Sequence, residues 1–383
     1  MWLILIFYGC LAVGTEAQSG KITAVSIIKG HNYPVESHYT RTRDDYILQA
    51  FRIPNSASCR RPGTKPVVLF LHGMTASADT FLLNGPKDGL PYMLADACYD
   101  VWLANFRGTR YSRLHAYLNP NKNEFWRFSF HELGVEDLAT FIDYILQLTN
   151  EKTVNVVAHS QGCTTFLVLL SMRPEYNEKV KTAILMAPAA FMEHTSTLGQ
   201  TVFRPYIMVS PDSEFLQHSK LRSHIMPTVC RLGSWSVCNL YLFLNGRPSS
   251  HFNTSVYPSL LATHPAGIST RQPRHFIQLT DSGKFRQYDY GRVKNLIVYG
   301  QKSPPDYKLY NVQPLSPVHI FYSDDDSSVN ATDVRFLGSK LTSVVMNRIT
   351  KPTWHHLDFI FAITVAQDIN KPIIQILDKF SSK

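Results

Sequence analysis

The sequence predicts an α/β fold: a mostly parallel central sheet with helical crossovers, interrupted by one largely helical insertion. Two observations carry this expectation. Short apolar, β-branched runs recur along the chain, each followed by small or polar residues and separated from the next by helix-compatible stretches. The recurrence then stops for a long interval and resumes near the C-terminus.

The runs are Pro66 to Leu71 (PVVLFL), Tyr99 to Ala104 (YDVWLA), Val154 to Val157 (VNVV), Thr182 to Met186 (TAILM) and Val318 to Tyr322 (VHIFY). Strands apolar on both faces are buried on both faces, so they need helical crossovers and form a parallel sheet. After Ala187-Pro188 the pattern breaks, and residues 191–301 are richer in aromatic residues, His and Pro without regular strand spacing. A structureless stretch of that length is uncommon in a compact domain, so 191–301 is expected to hold helices of its own and form a cap or lid. The expected core is then 18–190 together with 302–383, one large α/β domain carrying an insertion. There is no internal repeat and no low-complexity linker.

Residues 1–13 carry no charge and are almost entirely apolar, and Thr15-Glu16-Ala17 offers small residues at the −3 and −1 positions of a cleavage site. Residues 1–17 therefore read as a signal peptide. No other segment approaches eighteen unbroken apolar residues, so no transmembrane segment is expected after cleavage. Beyond the leader cysteine Cys10 the chain carries Cys59, Cys98, Cys163, Cys230 and Cys238, an odd number. Cys98 and Cys163 sit beside apolar runs and read as buried thiols; Cys230 and Cys238 lie close together in a Ser-rich stretch where an oxidising compartment favours a short bridged loop. Asn253-Thr254-Ser255 and Asn330-Ala331-Thr332 are glycosylation acceptors on a secretory route.

The composition, 44% hydrophobic and 17% charged, is that of an ordinary globular protein. The formal charge of +9 comes from scattered Lys and Arg residues without a basic run or aromatic interleaving, which excludes a nucleic-acid partner. It reads as solvated surface, and secondarily as help in settling on an anionic lipid surface. Oligomeric state is not legible.

Ala158-His159-Ser160-Gln161-Gly162 follows the run VNVV and precedes Cys163 to Leu170, an apolar stretch compatible with a helix. This is the strand–turn–helix context in which a serine becomes an exposed nucleophile on a strained turn, with small residues two positions either side. A serine hydroxyl is nearly inert at neutral pH, so it needs a base, and the base needs an acid that fixes its tautomer. Asp324-Asp325-Asp326 ends the run VHIFY, and His355-His356 follows, in the order Ser, Asp, His. One histidine of the pair must be a bystander. Three adjacent acids without a second oxygen-rich cluster do not read as a metal site. The oxyanion formed on attack needs two preorganised donors: the backbone N–H of Gln161 is one, and that of Met74, in the loop His72-Gly73-Met74, is the other. His72 shapes that loop rather than transferring protons.

Seven segments together resemble the acid lipase family, which includes lysosomal acid lipase and gastric lipase, over nearly all of the chain after the leader. They are NYPVESHYTRTRDDYIL (32–48), LHGMTASADTFLLNGP (71–86), NFRGTRYSRLH (105–115), FWRFSFHELG (125–134), AHSQGCT (158–164), SGKFRQYDYG (282–291) and HHLDF (355–359). The resemblance implies the α/β-hydrolase fold with a cap, Ser160 as nucleophile, His356 as base, Met74 and Gln161 as oxyanion donors, and no metal or cofactor. It selects Asp326 as the acid, because the family's acid precedes a D-V pair, here Asp333-Val334, by seven residues. It also implies a Cys230–Cys238 disulfide, an acidic working pH and neutral acyl lipids at a lipid–water interface as substrates. The family has Gly where Ala158 and Asp45 stand.

The leading expectation is therefore a secreted or lysosomal serine lipase that cleaves triacylglycerol or steryl esters through an acyl-enzyme. Two alternatives stand beside it: a secreted lipid-binding protein that kept the fold and lost the chemistry, and an esterase of soluble short-chain esters. Chain length and alcohol preference are set by pocket shape and are not legible in the residues.

Overall fold

The computed structural model describes residues 22–195, 198–231 and 249–381; the expected leader and Cys238, and with it the Cys230–Cys238 pair, lie outside the described residues. Among those described, nine strands form one sheet: β1 (Glu36–Arg41), β2 (Tyr46–Ile53), β3 (Val67–Leu71), β4 (Asp100–Asn105), β5 (Leu114–His115), β6 (Val154–His159), β7 (Val180–Met186), β10 (Val318–Ser323) and β11 (Val344–Ile349). The order is β1-β2-β4-β3-β6-β7-β10-β11, with β5 paired to β2. From β4 to β11 neighbours run parallel, and β1 and β2 join antiparallel at one edge.

The five apolar runs are the five consecutive strands β4, β3, β6, β7 and β10. Their alternate residues face two separate cores. Val67, Leu69 and Leu71 belong to one, with Val156 and Ala158; Val68 and Phe70 belong to the other, with Val157 and Phe321. Helices α3 (Ala139–Thr149) and α4 (Gln161–Met172) cover the first face, and α11 (Lys371–Ser381), through Ile373 and Leu377, covers the second. Burial on both faces makes each position costly to truncate; Leu69→Ala removes about 2–5 kcal/mol. Edge strands β1 and β11 were not expected from the sequence, because their residues alternate between half-buried and exposed and so lack the continuous apolar signature.

Between β7 and β10 the described residues form α5 (Leu198–Val209), α6 (Lys220–Arg231), α7 (Tyr257–Thr263), α8 (Arg271–Ser282), α9 (Arg292–Tyr299) and a short antiparallel ladder of β8 (Glu214–Phe215) with β9 (Ile268–Ser269). This segment is not detached from the sheet's second face. Phe252 pairs with Ala362, Asn253 N–H donates to Phe361 O, and Leu260 and Leu261 join the core that contains Phe81 and Phe361.

One cysteine expectation is corrected. Cys98 is not a buried thiol but is bonded to Cys59, with Cα atoms 5.1 Å apart and a sequence separation of 39. Cys98 is half-buried, at φ +69° in the turn that joins α2 (Leu90–Asp96) to β4, beside the loop after β2 that carries Cys59. An apolar neighbouring run does not bury a residue that sits in the turn outside it. Cys163 is a buried free thiol, as expected.

Candidate active site

The site grows from the C-terminal ends of β3, β6, β7 and β10. At the end of β6 the chain turns through Ser160, whose φ of +55° and ψ of −122° lie in a region L residues rarely occupy. Strain of this kind persists only where surroundings over-determine it. Ser160 N–H donates to Met186 O at the end of β7, and helix α4 begins at the next residue. A Cβ at Gly162 would stand 2.3 Å from Leu71 O, so glycine there permits the contact of α4 with β3. Position 158 lies inside β6, fully buried between Leu71 and Leu185. Ala158, where the family has Gly, thus adds its methyl to packed core while the turn keeps its conformation. Asp45, the other such position, has φ +71°, which explains the family's Gly; a short polar side chain tolerates the left-handed region better than most.

The structure brings Ser160, His356 and Asp326 together. Ser160 Oγ stands 2.9 Å from His356 Nε2, and His356 Nδ1 stands 2.9 Å from Asp326 Oδ2. Asp326 Oδ1 also accepts from Ser328 N–H and Val329 N–H at 2.8 and 3.1 Å. These donors hold the carboxylate in place behind the imidazole. With the acid accepting at Nδ1–H, the His356 tautomer leaves Nε2 free to accept the serine proton.

The neighbouring acids and the second histidine have other partners. Asp324 pairs with Arg335 and Arg348 at the surface. Asp325 accepts from Thr353 N–H, and its carbonyl accepts from His355 Nδ1 at 2.6 Å. His355 is therefore the bystander. Among the described residues no group of three or more His, Cys, Asp and Glu is arranged to hold a metal ion.

The two oxyanion candidates neighbour Ser160, one as the next residue in the chain and one in the loop after β3. Gln161 opens α4, where a helix leaves its first N–H groups without internal acceptors. Met74 follows Gly73, at which a Cβ would approach Ser160 Cβ to 3.2 Å; glycine lets this loop close on the nucleophile. His72 fixes the loop from behind. Its Nδ1–H donates to Gly73 O at 2.9 Å and its Nε2 accepts Phe106 N–H at 3.2 Å, and burial pushes its pKa down to about 4. Both ring nitrogens are thus committed, which leaves it no proton to transfer.

Three residues near the site were not singled out by sequence reasoning. His159 Nε2–H donates to the carbonyl of His356 at 3.0 Å, and burial, followed by the nearby His356 ring, lowers its pKa to about 3. Gln272 of α8 donates to Gln161 Oε1 at 3.2 Å while its own Oε1 accepts Ser269 N–H. His264 hydrogen-bonds Thr80 Oγ1 at 2.7 Å in the wall of the site. His159 lies inside the serine motif, but a motif does not state where a neighbouring ring points; Gln272 and His264 have no local signal at all.

A cavity of about 130 Å³ opens over Ser160 and His356, with Met74, Met192, Leu260, Phe276, Val329 and Phe361 in its apolar lining. A strained serine at a strand–helix turn, a histidine it can share a proton with, a buried carboxylate behind that histidine and a parallel sheet beneath define an α/β-hydrolase.

Comparison with known proteins agrees. A family profile described as "Partial alpha/beta-hydrolase lipase region" matches residues 24–85, and one described as "alpha/beta hydrolase fold" matches residues 66–208. Lipase 3 of Drosophila melanogaster is 36% identical, with 92% of each chain covered. Gastric triacylglycerol lipase of Bos taurus is 34% identical over 97% of this chain and 94% of its own. Among solved structures, a candidate lipase of Sulfolobus solfataricus covers 90% of this chain and 94% of its own at a TM-score of 0.59 and 11% identity, a likeness of fold alone. The chain belongs to the acid lipase family of α/β-hydrolases and is by that membership a carboxylic ester hydrolase.

Proposed function

We propose that this chain is a secretory-route serine lipase that hydrolyses carboxylic esters of neutral lipids, triacylglycerol or steryl ester, through an acyl-enzyme. The observation that carries the reading is the unbroken chain of hydrogen bonds from Ser160 Oγ through His356 to Asp326. Ser160 Oγ attacks the ester carbonyl as His356 Nε2 takes its proton; Asp326 holds the imidazole in the right tautomer and stabilises the imidazolium. The carbonyl oxygen becomes an oxyanion between the N–H groups of Met74 and Gln161, where each donor contributes about 3–4 kcal/mol. His356 then protonates the departing alcohol. Water, deprotonated by the same imidazole, attacks the acyl-serine, and the carboxylic acid leaves with Ser160 restored. The scheme needs no cofactor.

The apolar cavity over Ser160 supports an aliphatic acyl group as the part of the substrate taken up. The two gastric and insect lipase relatives support a neutral lipid as its source. No helix among the described residues is long and apolar enough to cross a membrane, and the leader read at residues 1–17 supports secretion or lysosomal delivery. In this reading 191–301 is the cap, and Asn253 and Asn330 carry glycans. Each asparagine Oδ1 caps a helical turn by accepting a backbone N–H two residues on, from Ser255 and Thr332, so each Nδ2 stays clear of the cap bond.

The test is hydrolysis of emulsified long-chain triacylglycerol from pH 4 to pH 8, beside Ser160→Ala. The variant should melt as the parent does and lose activity by a factor on the order of 10⁶. Activity retained by folded Ser160→Ala would remove Ser160 from the mechanism. An active parent that cleaves a soluble short-chain ester as fast as the emulsion would move the reading to a soluble esterase.

A further inference from the structure

Helix α9 (Arg292–Tyr299) is amphipathic the wrong way round for a helix that packs on a core. The residue it buries is polar: Asn295 Nδ2 donates to Asp289 Oδ1 at 2.8 Å and to Lys302 O at 3.0 Å, while its Oδ1 accepts Tyr290 N–H at 3.0 Å. The residues it exposes are aliphatic: Val293 by 77%, Leu296 by 47%, Ile297 by 80% and Val298 by 49%. Val293, Leu296 and Ile297, spaced i, i+3, i+4, share one face, opposite Asn295. Arg292 and Lys294 fall on the two flanks of that stripe, and both are exposed.

A row of three large apolar side chains in water is unfavourable unless a partner covers it. The flanking charges say what kind of partner. Residues 291–302 contain Arg292, Lys294 and Lys302 and no Asp or Glu. Arg292 and Lys294 occupy the first turn, where the helix dipole disfavours cations, and among the described residues neither makes an ion pair with a carboxylate. An apolar stripe edged by long cationic side chains matches a lipid surface: the aliphatic groups enter the acyl boundary while the cations stay at the level of anionic headgroups.

A relay of contacts links the helix to the candidate active site. Lys294 Nζ lies 4.8 Å from the Tyr290 ring, Arg271 stacks over the same ring and over Tyr288, and the next residue, Gln272, bonds Gln161. We propose that α9 is a lipid-surface docking element, which seats the protein on an anionic lipid interface through Val293, Leu296 and Ile297 with Arg292 and Lys294 pairing headgroups. The biological setting of this docking rests on the lipase reading, but the docking itself does not require turnover.

The experiment measures binding and turnover separately. Full-length Val293→Trp, introduced beside Ser160→Ala so that nothing is hydrolysed, should shift its emission to the blue on mixing with phosphatidylcholine–phosphatidylserine vesicles, because the indole enters the boundary. In co-sedimentation with the same vesicles, Val293→Ser/Ile297→Ser should bind weaker by tenfold or more, on the order expected for two branched aliphatic side chains. Arg292→Gln/Lys294→Gln should bind weaker by about fivefold per charge, and lose its preference for these vesicles over pure phosphatidylcholine. Both double variants should hydrolyse a soluble short-chain ester at the parent rate, which reports an intact site. Emission indifferent to vesicles, or vesicle binding unchanged in the double variants, overturns the proposal. So does a parent dimer that Val293→Ser/Ile297→Ser dissociates while vesicle binding persists, which would assign the face to a second copy. Failure of the lipase reading shows instead as absent parent turnover with vesicle binding intact.

Discussion

The sheet and the segment between β7 and β10 share apolar cores but differ in how their polar groups are held. In β3, β6 and β10 every residue is buried, and polar groups just past their C-terminal ends are locked into short chains: Ser160 to His356 to Asp326, or His72 between Gly73 O and Phe106 N–H. The intervening segment carries guanidinium–carboxylate pairs of graded exposure. Asp212 receives Arg271 and Arg274, Glu214 receives Arg113 of the core, and Arg204 meets Asp281 with both side chains 45% exposed. Buried, mutually fixed groups position chemistry to a fraction of an ångström, whereas exposed pairs contribute at most about 1 kcal/mol each and can be exchanged for water. The buried, mutually fixed groups make the sheet a rigid floor for the candidate site.

The comparison breaks most sharply at Asp326. Asp326→Asn keeps the shape but presents an amide where the carboxylate fixed the His356 tautomer, so kcat should fall about 10⁴-fold with the melting temperature nearly unchanged. A loss below tenfold would show that the acid merely packs. The next largest effect is on stability. Arg107 is buried between Asp137, itself fully buried, and the half-exposed Asp44. Arg107→Met leaves Asp137 buried without its partner and should cost about 3–5 kcal/mol in denaturant unfolding. The same substitution at Arg204 should be almost silent.

Acid should expose a third contrast. Burial lowers the pKa of His72 to about 4 and of His159, His264 and His275 to about 3, from an ordinary 6.5. Each folded-state value is depressed, so the unfolded chain binds a proton that the folded protein refuses. The contribution of each is complete above pH 6.5 and is lost as pH falls toward 4, at up to about 1.4 kcal/mol per pH unit per group. Burial raises Asp79, Asp137 and Asp358, which favours the folded state at low pH, but these three carboxylates face the four imidazoles and His319, which burial also lowers. Unfolding free energy should therefore decline between pH 6.5 and 4, and His275→Gln should flatten the slope. A protein equally stable at both pH values would show that these rings are protonated in the folded state.

What was legible in the sequence follows the same division. The five central strands were readable because burial on both faces forces continuous apolar runs. Ser160 was readable because a strained strand–helix turn demands small neighbours such as Gly162. The choice of Asp326 among three acids was not readable from spacing alone; resemblance selected it, and in the structure Arg335, Arg348, Thr353 and His355 occupy the other two. The edge strands escaped because one face meets solvent, and the Cys59–Cys98 bond escaped because pairing depends on which loops meet. Within 191–301, residues 249–263 pack on the sheet's second face, a placement set by contacts with Phe361 and Ala362 that lie a hundred residues away.

Gln272 joins the two regions, and the smallest expected effect is there. Its Nε2 donates to Gln161 Oε1 and its Oε1 accepts Ser269 N–H, so one side chain of α8 ties β9 to the residue whose N–H is the proposed oxyanion donor. Gln272→Leu keeps the volume but leaves Gln161 Oε1 and Ser269 N–H without these partners, a loss of about 1–2 kcal/mol. If α8 is part of the covering and only rests on the floor, that loss appears in unfolding alone and kcat is unchanged. If the bond holds Gln161 in register with Ser160, kcat on a soluble short-chain ester should fall by roughly fivefold to tenfold at constant KM, since the oxyanion contact is made in the transition state. We expect the second outcome, because Gln161 opens its helix and has no preceding turn to hold its side chain.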